Sequence, residues 1–171
     1  MKRNKMLVLD LETTGLKGIP SDRILEIAGV LVDFETKTTQ NVLDAVIYYP
    51  IDYKISNCWI VKNGIIALQE IENGSAFDLV MNDLECLLID QEIPWTSYNT
   101  SFDYNRFLAH YEIPRPSFCL MRKASSICNG GRLVKNSVAY ERLVGPLPDT
   151  DLHRALNDAE LSAQILLHIK F

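Results

Sequence analysis

The run Met6-Leu7-Val8-Leu9-Asp10-Leu11-Glu12-Thr13-Thr14-Gly15 sets two carboxylates two residues apart at the end of an apolar stretch. On a strand, side chains i and i+2 project from the same face about 7 Å apart, so Asp10 and Glu12 form a candidate cation site. An unneutralised acid pair beside a buried strand is costly, and a divalent metal is the usual remedy. Taken alone, the pair reads equally as an acidic strand end. Two later segments carry further ionisable groups. In Trp95-Thr96-Ser97-Tyr98-Asn99-Thr100-Ser101-Phe102-Asp103, a short strand turns at Asn99 and a helix starts near Ser101, the expected N-cap, with Phe107, Leu108 and Tyr111 at helical spacing. Asp103 then falls in the first helical turn, where an acid also serves simply to complement the helix dipole. In Asp151-Leu152-His153-Arg154-Ala155-Leu156-Asn157-Asp158-Ala159, His153 lies in the loop leading into a closing helix and Asp158 in its early turns, so the two can converge on one point. A lone His in a loop is otherwise an ordinary surface residue.

The elements that must position these groups follow from hydrophobic periodicity. Strands are expected at 6–12, 24–34 and 42–49, the last two antiparallel about a turn near Glu35-Thr36-Lys37, with a short strand at 95–98. Helices are expected at 58–68, 76–90, 102–112, 121–128, 136–144 and 155–169, with a short strand or turn near 118–121. In 76–90 the residues Phe77, Val80, Met81, Leu84, Leu87 and Leu88 recur at helical spacing and read as core. The pattern is that of an α/β protein with a mixed sheet flanked by helices, its acids collected at the ends of the central strands.

Composition sets bounds. The chain of 171 residues, 47% hydrophobic and 23% charged, is long enough for a full core and reads as one domain over 1–171. Its start, Met1-Lys2-Arg3-Asn4-Lys5, is basic, but the apolar run after it is too short for a signal peptide or a membrane span, so a cytoplasmic location and no membrane partner are expected. Cys58, Cys86, Cys119 and Cys128 show no paired spacing and read as reduced, mostly buried thiols. Asn129-Gly130-Gly131-Arg132-Leu133-Val134-Lys135-Asn136 lacks a phosphate-loop pattern and reads as a flexible connection. Oligomeric state is not legible.

Together the three segments resemble the DEDDh family of 3′–5′ exonucleases, DnaQ-like members of the ribonuclease H-like superfamily. The first family motif, Asp-x-Glu with hydroxyl residues and Gly, stands as Asp10, Glu12, Thr13, Thr14 and Gly15. The second stands as Asn99, Phe102 and Asp103, and the third, His-x-Ala-x-x-Asp-Ala, as His153, Ala155, Asp158 and Ala159. All five defining side chains are present in the family's order, and the likeness runs over residues 6–167. Arg23–Val30 resembles the family's second strand, while Asn63-Gly64-Ile65 stands where His-Gly-Ile is common, a departure that touches only a helix-end contact.

The resemblance implies a ribonuclease H-like fold and metal-dependent hydrolysis of phosphodiester bonds at a nucleic-acid 3′ end, releasing nucleoside monophosphates. Two divalent ions about 4 Å apart serve such chemistry, and Mg²⁺, with Mn²⁺ as the alternative, suits carboxylate oxygens. It further implies that Asp10 bridges the ions, that Glu12 and Asp158 complete one site, that Asp103 holds the other, and that His153 acts as general base, a role suited to an imidazole of ordinary pKa about 6.5. Activity should then fall on the acid side as the imidazole protonates. Substrate contacts are expected from Thr13, Thr14, Leu16, Asn99 and Phe102. Trp59 and Tyr98 read as core packing before base stacking, and Arg106 and Arg154 as solvated helix cations before phosphate contacts.

The 17 Lys and Arg against 22 Asp and Glu, net −5, give no long basic footprint. Two bound divalent ions would bring that charge to about −1, so a short, metal-dependent grip with limited processivity is expected. Single-stranded DNA is the favoured substrate, RNA the alternative within the family. A polymerase is a candidate partner, although the chain carries no recognisable tail after Lys170-Phe171. The competing reading is a silent nucleic-acid-binding or polymerase-accessory module, against which the intact set of five residues argues.

Overall fold

The computed structural model describes residues 4–149 and 153–169; the basic Met1-Lys2-Arg3, Asp151-Leu152 of the third motif segment and Lys170-Phe171 lie outside them. The chain runs through β1 (Lys5–Thr13), β2 (Ile24–Asp33) and β3 (Thr38–Val46), then α1 (Tyr53–Asn57), α2 (Trp59–Lys62), α3 (Leu68–Glu72) and α4 (Phe77–Glu85). It continues with β4 (Trp95–Ser97), α5 (Thr100–Phe102), α6 (Leu120–Cys128), α7 (Asn136–Leu143) and α8 (Ala155–His168). The four strands form a mixed sheet in the order β3-β2-β1-β4. β1 runs antiparallel to β2 and parallel to β4, and β2 runs antiparallel to β3. This is the ribonuclease H-like mixed sheet flanked by helices.

Alternation along β1 explains the layers. Leu7, Leu9 and Leu11 point to one face and pack with Val80, Met81, Leu84, Trp95 and Phe107. Val8 points to the other face and packs with Ala28, Val30, Leu120, Ala124 and the α8 residues Ala155, Ala159 and Ala163. Asp10 and Glu12 continue the Val8 row, so the period of two carries both acids to the α8 side. Ala28 lies directly across from Asp10; with the α8 alanines it allows close approach of helix to sheet at the point where the acids stand.

Three expected elements differ. Instead of one helix over 58–68, the chain from 53 to 72 breaks into α1, α2 and α3, because Cys58 is extended and Gly64 has φ of +69° just after Asn63 caps α2; these short helices enclose a separate cluster of Leu25, Ile55, Ile60, Ile66 and Ile71. The helix after β4 begins at Thr100 with Asn99 at the cap, not Ser101, and passes into a wider turn over Asp103–Phe107 and a tighter one over Leu108–Tyr111. The third strand spans 38–46 where 42–49 was expected, since the Asp33 carboxylate accepts the Glu35 and Thr36 N–H groups and closes the turn early. Of the cysteines only Cys58 is buried; Cys86 is exposed on a turn whose one buried residue is Leu88. Among the described residues no helix is long and apolar enough to cross a membrane.

Candidate active site

Seven of the residues singled out by the motifs, Asp10, Glu12, Asn99, Phe102, Asp103, His153 and Asp158, line one cavity of about 640 Å³. β1 supplies its floor, the start of α5 one wall and the first turns of α8 the other. Thr13, Thr14 and Leu16 line an adjoining cavity of about 430 Å³ that shares Glu12, Phe102 and His153 with the first. Sites separated by some ninety to one hundred and fifty positions are joined because β4 and α8 both pack on β1.

Each acid has a definable environment. Asp103 is 3% exposed and accepts a hydrogen bond from the Ser97 hydroxyl at 2.7 Å. Burial pushes its carboxyl up to about 7, against the lowering effect of that hydroxyl and of the Asp103 and Leu11 backbone N–H groups. Asp10 is held well above the usual carboxylate range, first by burial and then by the charges of Asp103, Asp158, Glu12 and Glu26. Glu12 is pushed up to about 9 by burial and by Asp158, Glu26 and Asp103, with Arg154 opposing. Asp158 is raised by burial while the His153 backbone N–H, donating to its Oδ2 at 3.1 Å, lowers it. Four mutually repelling carboxyls are thus crowded where a cation would relieve them.

One ligand atom each from Glu12, His153 and Asp158 lies within 4.8 Å of the other two. His153 is exposed, has a left-handed φ of +71°, and meets the Trp59 ring edge-on at a centroid distance of 5.3 Å. The carboxylate oxygens of Glu12 and Asp158 suit a hard divalent ion, while the imidazole nitrogen is the softer donor beside them.

The substrate candidates divide. Phe102 borders both cavities, and Leu16 is 71% exposed at the rim of the second. The loop carrying Leu16 is fixed to the rest of the site: Gly18 has φ of +88°, a Cβ there would meet the Arg106 carbonyl at 2.5 Å, and the Ile19 N–H donates to that same carbonyl at 3.0 Å. The Arg106 guanidinium donates to the Leu16 carbonyl. Thr14 is buried, its hydroxyl facing Asp22 and accepting from the Arg23 N–H, and the Thr13 hydroxyl donates to the Gly15 carbonyl; both side chains build the loop. The Asn99 carbonyl accepts the Phe102 and Asp103 N–H groups, which makes Asn99 the turn that aims Asp103.

Several functional neighbours escaped the sequence reading. Trp59 is not core: it is 57% exposed and lines the second cavity. Its helix is one turn long, and no periodicity marks which way its side chain faces. Tyr98 is buried as expected, its hydroxyl donating to the Val134 carbonyl, though it also borders the larger cavity. The glycine-rich connection leads directly into the site, since Leu133, Val134, Lys135, Asn136 and Ser137 line the larger cavity. Arg154 is not a solvated cation but pairs with Glu26 and Glu70. Among the described residues, Glu12, His153 and Asp158 form the one group with spacing for a metal ion.

Comparison with known proteins bears on the family and the fold. The RNase_T family model, described as Exonuclease, matches residues 7–166. No curated protein matches the sequence. Among solved structures, a 3′-exonuclease that recognises the 3′ end of a histone mRNA stem-loop has a TM-score of 0.74 at 16% identity, over 96% of this chain and 80% of that one. The nuclease domain of 3′hExo, a DEDDh family member bound to rAMP, has a TM-score of 0.67 at 16% identity, over 96% of this chain and 90% of that one. Cell-death related nuclease 4, CRN-4, gives 0.71 at 15% identity over 97% of this chain, which spans only 63% of the CRN-4 chain. At such identities the likeness is one of fold.

Proposed function

This chain belongs to the exonuclease family, and from that premise we propose that it is a divalent-metal-dependent 3′–5′ exonuclease that releases nucleoside monophosphates, with single-stranded DNA as the favoured substrate. The observation that carries the reading is the convergence of Asp10, Glu12, Asp103, Asp158 and His153 on one cavity, with every one of the four carboxyls held above its ordinary range. The reading treats residues 1–171 as one exonuclease domain, and it covers a free-standing enzyme and a proofreading partner of a polymerase alike, since both present a 3′ end to the same site.

Asp10, Glu12 and Asp158 would hold one cation and Asp10 with Asp103 a second, Mg²⁺ or Mn²⁺; when bound, the pair supplies Lewis acidity and neutralises charge building on the phosphate. The chain's own residues do the rest. The His153 ring, exposed at the cavity mouth within 4.8 Å of Glu12 and Asp158 carboxylate oxygens, accepts the proton of the attacking water. Phe102, Leu16 and Trp59 offer apolar surface for the terminal base and sugar. Ser97 fixes the rotamer of Asp103 through its hydroxyl.

The test is digestion of 5′-labelled single-stranded DNA and RNA of matched sequence in Mg²⁺, Mn²⁺ or chelator, beside Asp10→Ala. A ladder shortening from the 3′ end, present only with metal and only in the parent, is the expected result, and the faster strand identifies the preferred sugar. The RNA arm is included because relatives in fold include a 3′-exonuclease that recognises the 3′ end of a histone mRNA stem-loop. No shortening of either strand with either metal would replace this reading with that of a binding module.

A further inference from the structure

Glu26 is an acid that the catalytic reading leaves unused. It stands on β2 directly across from Glu12 and is 1% exposed. A carboxylate at that depth needs cationic and hydrogen-bonding partners, and they come from the two residues that follow His153. Arg154 reaches Glu26 Oε1 through Nε at 2.9 Å and Nη2 at 2.8 Å, and the Ala155 backbone N–H donates to Oε2 at 2.9 Å. The remaining arm of the guanidinium, Nη1, lies 3.1 Å from Glu70 Oε1 on α3 and donates to the Ile65 carbonyl at 3.4 Å. Glu70 is itself fixed, because its Oε2 accepts the Ala67 N–H at 2.8 Å.

Ile65 makes this network relevant to the site. Its N–H donates to the Ile60 carbonyl of α2, the helix that carries Trp59. A single planar fork therefore ties the backbone immediately after His153 to the segment bearing the ring that His153 touches. Among the described residues, His153 is held by its backbone N–H donating to Asp158 and by the edge-on contact of its ring with Trp59, on a left-handed residue exposed to water. Lysine could not reproduce the arrangement, having a point charge in place of donors in a fixed plane.

We propose that Arg154, locked by Glu26 and Glu70, is the positioning residue that holds the His153 turn against Trp59 and Asp158. This assignment rests on the exonuclease reading for its catalytic consequence, but its geometry can be tested without turnover. The imidazole C–H resonances of the parent contain one signal that vanishes in His153→Ala. That signal carries the ring-current displacement of Trp59, and in Arg154→Met it moves to the position of an ordinary exposed histidine, while His110 and His168 stay in place. Since Arg154→Met strands the buried Glu26 charge, the pair Glu26→Gln with Arg154→Met, which removes both charges, is measured beside it, and Arg154→Lys falls between parent and Met. An unmoved His153 signal in the folded double variant overturns the assignment.

Turnover supplies the second arm. Arg154→Met lowers kcat roughly 10- to 100-fold in the parent, the scale of a misplaced catalytic group, and causes no further loss in His153→Ala, because it acts only through His153. An equal loss on both backgrounds would mean a purely structural role and would overturn the assignment. A parent inactive on both strands would instead sink the exonuclease reading and leave the resonance test to decide this one.

Discussion

The floor and the mouth of the cavity are built on opposite principles. Asp10 and Glu12 are fixed by strand β1, which pairs with β2 along its length and with β4 up to Leu9, and Asp103 is clasped by Ser97 on β4. The mouth, formed by His153, Trp59 and Leu16, is exposed and stands on loops and one short helix outside the sheet. A strand ladder resists relaxation when charges are crowded together, so β1 keeps Asp10 and Glu12 in place beside Asp103 and Asp158 for a cation. A proton acceptor needs access to water, and His153 meets that need at the exposed mouth, outside the sheet.

The sharpest way to break this contrast is at the floor. Asp10→Asn should lower the rate by roughly 10³-fold or more, as expected for loss of a central electrostatic group. It should at the same time raise the melting temperature of the metal-free protein at pH 8, because an amide folds without the proton uptake or the repelled charge that a buried Asp10 carboxyl brings. A fall in both would show that Asp10 is a structural acid. At the mouth, His153→Ala should cost roughly 10²- to 10⁴-fold in kcat while leaving the Mn²⁺-induced rise in melting temperature intact; loss of that rise would move His153 from the mouth to the metal-binding floor. Trp59→Ala should raise KM about tenfold, the scale of one base-stacking contact, as read by initial rates on a short single strand. An unchanged KM would remove Trp59 from the substrate surface.

The smallest effect is on stability, and pH sharpens it. The carboxyls of Asp10, Glu12, Asp103 and Asp158 are raised in the folded protein, so between about pH 4 and pH 9 the folded state holds protons that the unfolded chain has released. The contribution of these four carboxyls to metal-free stability is therefore fullest below the unfolded carboxyl range and is lost as pH rises, through about 7 for Asp103 and about 9 for Glu12. Melting curves should fall by about 3 °C or more from pH 5 to pH 8, and Mn²⁺ should raise the melting temperature more at pH 8 than at pH 6, because the ion replaces those protons. A metal-free protein more stable at pH 8 than at pH 5 would contradict the crowding of the floor.

Legibility followed the same division. β1, β2 and α8 could be read because β1 and β2 are strand-length apolar runs buried on both faces, Leu7, Leu9 and Leu11 on one and Val8 on the other, and α8 carries apolar residues at helical spacing. The segment from 53 to 72 could not, because its apolar residues form a small cluster of their own around Ile55, Ile60 and Ile71 through helices too short to show a period. Trp59 was lost with it. Arg154 was misread for a different reason: its partners Glu26 and Glu70 stand far away in sequence, and nothing local in His153-Arg154-Ala155 announces them.

By itself the sequence determined the identities and order of the four acids and the imidazole, and the strand period that puts Asp10 and Glu12 on one face. These are local properties, set by residue type and backbone geometry. Only the tertiary structure decided that Glu26 faces Glu12, that one guanidinium bridges Glu26, Glu70 and Ile65, and that an exposed Trp59 meets His153. Those contacts join segments whose spacing carries no shared period, and they form because sheet pairing and the packing of α8 bring them within reach.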